Sequence, residues 1–294
     1  MTPLARLSIS LALVACVAVF EVWGGLRAQS LALLTDAAHV CMDAFALGVA
    51  MFAILGARRP PNARKTFGYG RLEILGALFN GSVLLAVTGF LVFEAIQRFS
   101  QPVQTHGALM SLVAAGGLCV NAAIALLLRE HGKHDLNFRA ALFHVMGDAL
   151  GALAVIVGGA VIALTNAVWI DPALSIFVAI IIVVGVLRVI RDAADVLLEA
   201  VPSGLHVNEV REAIAALEGT VAVHDLHVWT IGSGALALSA HVLVEDRRVS
   251  EATAIARSID ALLRERYGIT HVTLQFECES CSEDERVVCT QKRD

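Results

Sequence analysis

The chain has 294 residues, of which 57% are hydrophobic and only 17% charged, with a mean hydropathy of +0.73. A soluble protein carries about 25% charged residues, so this composition excludes a chain that is soluble throughout. The net charge of −5 leaves no basic footprint for nucleic acid.

Charge is sparse before Arg188 and dense after Glu199. That asymmetry predicts a membrane domain over residues 1–202 and a soluble domain over 203–281, with a charged tail at 282–294 read as mobile. Six apolar segments approach the ~20 residues needed to span a bilayer. They cover 7–26, 31–55, 72–99, 109–128, 140–164 and 172–190. No small-x-small cleavage site follows the first, which is read as a retained span and not a signal peptide. Glu21 lies within it and must face protein or water.

The second segment carries Asp36 and then His39-x-x-x-Asp43. The fifth repeats the pattern as His144-x-x-x-Asp148. Residues four apart share a helix face, so each segment turns an imidazole and a carboxylate the same way. An ionisable side chain at membrane depth costs about 2.5–3.5 kcal/mol even on lenient scales, so two matching pairs point to an ion pathway. The two spans run in opposite directions, and Asp43 and Asp148 fall at similar depth, so the pairs can face each other. Two imidazoles and two carboxylates make a tetrahedral set for a divalent metal such as Zn2+. Both ligand types bind metal only when deprotonated, so metal and protons compete at such a site. Asn80 in the third segment and Asn121 in the fourth are read as interhelical hydrogen-bonding amides, with support of the metal ligands from behind as the alternative.

Orientation follows from Lys and Arg. The loop after span two holds Arg58, Arg59, Arg64 and Lys65, with Arg71 at its end; the loop after span four holds Arg129, Lys133 and Arg139. The opposite side shows only Arg27 and Arg98, so both termini are read as cytoplasmic. Asp171-Pro172 is read as the N-cap and first helical residue of span six.

Beyond Ser203, periodicity predicts helix 207–217, strands 221–231 and 236–244 joined at Gly232-Ser-Gly234, helix 249–267 and strand 269–276. The order αββαβ implies a small α+β domain of ferredoxin-like type with helices on one sheet face. Adjacent strands can bring His227, His241 and Glu277 together as a metal set, with Cys278 and Cys281 of the C-x-x-C pair contributed locally or from a second subunit. Imidazole with thiolate favours Zn2+ over Mg2+ or Ca2+. His224 and His271 are secondary candidates, and His206 belongs to a helix start.

The stretches SLALLTDAAHVCMDAFAL, FGYGRLEILGALFNG, ALFHVMGDALGALAVIVGG and WIDPALS resemble the cation diffusion facilitators. HDLHVWTIGSG and HVTLQFE extend the resemblance through the soluble domain, over nearly the whole chain. His39 at the first position of its pair resembles the zinc-transporting branch. The resemblance implies a homodimer in a lipid bilayer, with six spans and a cytoplasmic αββαβ domain in each subunit. It further implies export of divalent metal in exchange for protons, with His39, Asp43, His144 and Asp148 as the transport site. Cytoplasmic zinc would then act as a regulatory ligand as well as cargo, and Arg71 and Glu199 would match a charge interlock of the relatives. One departure is the loop EHGKHDLN, which holds only His131 and His134 where eukaryotic relatives carry a long His-rich run.

The chain is therefore read as a transporter and not an enzyme, since no HExxH or nucleophile constellation accompanies the paired ligands. Cd2+, Co2+ or Ni2+ as the main cargo, and a membrane-anchored metal sensor without transport, are the alternatives. A bacterial cytoplasmic membrane is the expected location.

Overall fold

The computed structural model describes residues 3–57, 62–129, 136–232 and 234–278. Side chains are described there except at 3–10, 47, 50, 51, 53–57, 123–129 and 136–148. The chain divides into two compact units: 1–55 with 75–191, and 56–74 with 192–294.

The first unit is built from long helices: α1 (Pro3–Ala28), α2 (Leu31–Ala57), α3 (Arg71–Ser100), α4 (Gly107–Arg129), α5 (Leu136–Thr165) and α6 (Ile170–Leu197). A helix satisfies its own backbone polar groups, the only solution open to a lone apolar segment in lipid. Among the described residues, Leu11–Ala28, Arg71–Ser100 and Ile170–Leu197 are long and apolar enough to cross a membrane. Gly107–Ala122 and Ala149–Thr165 are shorter apolar stretches.

Leu33, Leu84, Met110, Val113, Val155, Ile162, Val178 and Ile182 form a shared core drawn from α2 to α6. Large apolar side chains also face outward, among them Phe79, Phe90, Phe93, Leu112, Leu164 and Ile180. In water that surface would drive association; against lipid tails it is the expected boundary. Helices α4 and α5 approach closely where Gly159 lies: a Cβ there would stand 2.7 Å from the Gly107 carbonyl oxygen. Next to this contact the Ser111 hydroxyl donates to the Ile156 carbonyl at 2.7 Å. Small residues at membrane helix interfaces serve this close packing.

Asp171 departs from its expected role. It lies within the first turn of α6, and its carboxylate turns to another helix: Oδ2 accepts from the Leu31 amide at 2.8 Å and Oδ1 from the Ala32 amide at 3.2 Å. The first amides of any helix lack intrahelical partners, so a buried acceptor from a neighbour caps α2 as a local Asp would. Pro172 follows in the first turn of α6, where its missing N–H costs nothing.

The second unit holds α7 (Val207–Ala215), β1 (Ala222–Gly232), β2 (Ala235–Val244), α8 (Val249–Tyr267) and β3 (Ile269–Cys278). β1 and β2 pair antiparallel, β2 and β3 pair parallel through the α8 crossover, and the sheet order is β1-β2-β3. Val210 and Ile214 of α7 join Ile255, Ile259 and Leu263 of α8 against Val228, Leu238, Ala240 and Val242. Strand alternation then turns the other sheet face away from these helices. The 62–70 segment belongs to this unit. Its Asn62 side-chain oxygen accepts from the Arg64 and Lys65 amides, both at 3.0 Å, and its Nδ2 donates to the Tyr69 hydroxyl at 2.9 Å.

Candidate metal centres

In α2, His39 and Asp43 lie one turn apart with Nε2 and Oδ2 separated by 3.7 Å. Their side chains are 19% and 32% exposed, so both are withdrawn yet reachable. Asp36, one turn before His39, is buried at 8%. Glu21 of α1 is buried at 2% and fills the space that a side chain on Gly117 of α4 would need. His144 and Asp148 fall four residues apart on the α5 backbone, and their side chains lie outside the described residues. His131, His134 and Cys281 lie outside them altogether.

A second cluster stands on the sheet face opposite α7 and α8. Its geometry depends on one irregularity. His227 is in register with Ser239, but His224 is in register with His241, so β1 carries one residue more than β2 between these pairs. The extra residue is a β-bulge, and Asp225 within it adopts φ 47°, a conformation that Asp tolerates better than most residues. Without the bulge, His224 and His227 would face opposite sides of the sheet. With it, both share the face of His241.

The bulge brings His224, His241 and Glu277 together, with one donor atom of each lying within 4.8 Å of the other two. His241 Nδ1 lies 2.8 Å from Glu277 Oε1, and His224 Nε2 lies 3.1 Å from Oε2. The two imidazole rings meet edge to face, centroids 5.3 Å apart. Asp225 stands beside them, 3.6 Å from His241 Nε2 and 3.0 Å from His227 Nε2. His227 thus reaches the cluster through Asp225, and its side chain is 63% exposed. Gln275 donates to Glu277 at 3.1 Å and steadies the carboxylate from two residues along the strand, as outer partners of metal ligands do.

Of the residues expected at this centre, the structure groups His241 and Glu277 directly and His227 at one remove. His224, ranked second from sequence, takes a direct position, and Asp225 was not singled out. Cys278 follows Glu277 in register with Val244 and so points to the other face of β3. His271 sits further along β3 opposite Ala237, edge-on to Phe67 at 5.2 Å, outside the cluster. His206 stands at the N-cap position of α7.

Comparison with known proteins gives this architecture a family. Residues 7–198 match the cation efflux transmembrane domain, and residues 202–279 match the cytoplasmic domain of cation efflux proteins. This chain belongs to the cation diffusion facilitator family. It is a metal cation efflux transporter and an integral membrane protein, and its relatives place it in the zinc-transporting branch. The "cadmium, cobalt and zinc/H(+)-K(+) antiporter" of Bacillus subtilis is 39% identical over 93% of this chain and 89% of its own. The zinc transporter ZitB of Pectobacterium atrosepticum is 38% identical over 95% of this chain and 87% of its own. The metal-bound C-terminal domain of the CzcD transporter from Cupriavidus metallidurans is 36% identical, with a TM-score of 0.23, covering 25% of this chain and 99% of that one.

Proposed function

We propose that this transporter exports Zn2+ from the cytoplasm in exchange for protons, through a site of His39, Asp43, His144 and Asp148. The observation that carries the reading is the His39–Asp43 pair, with imidazole and carboxylate 3.7 Å apart on one face of an apolar helix. Nitrogen and oxygen donors in this mixture suit Zn2+ and lack the all-oxygen character that Mg2+ and Ca2+ require. Two carboxylates offset the ion's double charge when it is loaded, and protons replace that charge when it leaves. The Bacillus subtilis relative is named as a zinc antiporter with H+ among its counter-ions, which agrees with this exchange. The same name includes cadmium and cobalt, so those ions form the second reading of the cargo.

The reading further assigns all six long helices to membrane spans, with both termini on the cytoplasmic side of a bacterial cytoplasmic membrane and two subunits forming a homodimer. The His224–His241–Glu277 cluster, with Asp225 and His227 beside it, is assigned as a cytoplasmic zinc centre; with Cys278 on the other face of β3, the Cys278-x-x-Cys281 pair is assigned to it only from across the dimer. Zinc there acts as a regulatory ligand by binding one conformation more tightly than another, the only way a ligand shifts an equilibrium.

The test is zinc flux into proteoliposomes with an imposed pH gradient, comparing the natural chain with Asp43→Ala and Asp148→Ala. Gradient-driven flux that both substitutions abolish supports exchange through the paired site. Equal flux in all three would overturn it.

A further inference from the structure

A polar knot lies at the start of α2, away from both metal centres. Asp171 of α6 is fully buried, and its two oxygens receive three donors from the α2 terminus. The Ser30 hydroxyl donates to Oδ1 at 2.5 Å, alongside the Leu31 and Ala32 amides. Ser30 Oγ in turn accepts from the Leu33 amide at 3.1 Å. From the last turn of α3, Arg98 Nη1 lies 3.5 Å from Asp171 Oδ2 and donates to the Gln29 carbonyl at 2.6 Å. One turn into α2, the Thr35 and Ser175 hydroxyls meet at 2.8 Å, both fully buried.

These contacts fix different degrees of freedom. The Asp171 cap sets the height of α2 along its axis. The Thr35–Ser175 contact sets its rotation about that axis. Thr35, His39 and Asp43 succeed one another at intervals of four residues and so form one stripe of the helix. At about 1.5 Å rise per residue, His39 and Asp43 stand about 12 and 18 Å along the axis from Leu31. A buried carboxylate and a buried hydroxyl pair are expensive to desolvate and directional once bonded, so they hold one arrangement where apolar packing would accept several.

We infer that Asp171 and Ser175 of α6 are positioning residues for transport, holding α2 at the height and rotation that present His39 and Asp43 to the metal. Neither is a ligand. The inference rests on the reading of His39 and Asp43 as transport ligands, and its test separates the two.

The experiment measures zinc flux against zinc concentration in proteoliposomes, normalised to reconstituted protein, for Asp171→Asn, Thr35→Val, Thr35→Ser and His39→Ala. Asp171→Asn removes the charge and turns an NH2 group toward the α2 donors. Thr35→Val removes the hydroxyl at constant volume, and Thr35→Ser keeps it. A positioning role raises KM for zinc about tenfold in Asp171→Asn and Thr35→Val with the maximal rate within about twofold, and leaves Thr35→Ser near the natural value. A purely structural role lowers the maximal rate per reconstituted protein and leaves KM alone, which would overturn the inference. If Asp171→Asn does not accumulate in membranes, Ser30→Ala, which removes one donor to Asp171 and keeps its carboxylate, takes its place with the same expected and overturning results. His39→Ala with unchanged KM would overturn the ligand reading and this inference with it. His39→Ala inactive beside Thr35→Val at natural KM would overturn only the inference.

Discussion

Gly70 and Gly232 meet backbone to backbone: a Cβ on Gly232 would stand 2.8 Å from the Gly70 Cα, and one on Gly70 would stand 3.0 Å from the Gly232 Cα. No flexible side chain separates them, so neither position can take even a methyl group without moving main chain. The contact seats the segment before α3 on the end of the β1–β2 hairpin, next to the Phe67–His271 ring pair. Overpacking of this kind costs about 1–3 kcal/mol. Gly232→Ala should therefore loosen the 62–70 segment, and tryptic cleavage after Arg64 or Lys65 should rise about tenfold or more. Gly89→Ala is the control, because a Cβ at Gly89 meets nothing within 4 Å. Equal cleavage rates in the two variants would refute the contact.

The bulge at Asp225 yields a ranking of the sheet histidines. His224 faces both His241 and Glu277, whereas among the described residues the ion-pair partner of His227 is Asp225. In a background carrying both Asp43→Ala and Asp148→Ala, which breaks both proposed intramembrane pairs, His224→Ala should weaken zinc binding about a hundredfold or more. His227→Ala should weaken it about tenfold, the range of an outer partner acting through a ligand. Isothermal titration at fixed pH distinguishes them. A larger loss for His227 than for His224 would mean that the bulge does not bring His224 into the centre.

How much of this was legible in the sequence depends on how local each signal is. The His39-x-x-x-Asp43 spacing is a property of one helix, and the 3.7 Å contact follows from it. The alternation read over 221–231 and 236–244 and the helical period of 249–267 are equally local, and β1 and β2 form within one residue of those bounds, at 222–232 and 235–244. The register of His224 is not local. It turns on one extra residue in β1, and only the tolerance of Asp for positive φ hints at where that residue sits. Asp171 misleads for a related reason. An Asp-Pro pair before an apolar run reads as its own helix cap, yet the amides of α2, some 140 positions earlier in the chain, compete for the same carboxylate and win by burial. The grouping of 56–74 with the C-terminal unit likewise arises from packing between distant segments.

Arg71 and Glu199 form an ion pair at 2.9 Å, with side chains 38% and 59% exposed. A solvated pair of this kind contributes about 0.2–1 kcal/mol, far below what a domain needs to stay folded. Glu199→Gln should shift thermal unfolding by less than about 4 °C, and the difference should vanish near 1 M salt, where the Debye length is about 3 Å. A salt-independent loss much larger than this would show that Glu199 is held by something other than the Arg71 charge.

On the proposed reading of His39 and Asp43 as ligands, the donor set in α2 also sets which metals the site prefers. One imidazole nitrogen and one carboxylate come from this helix. His39→Asp exchanges that nitrogen for a second oxygen donor and adds a negative charge. Imidazole suits Zn2+, while carboxylate-rich sites suit harder ions such as Mn2+. The substitution should raise Mn2+ flux relative to Zn2+ flux in the same vesicles by about tenfold, roughly 1.4 kcal/mol of differential binding. The added charge attracts every divalent ion, so the ratio of the two fluxes is the quantity to measure. An unchanged ratio, with both fluxes scaled together, would mean that His39 does not touch the metal while it is selected.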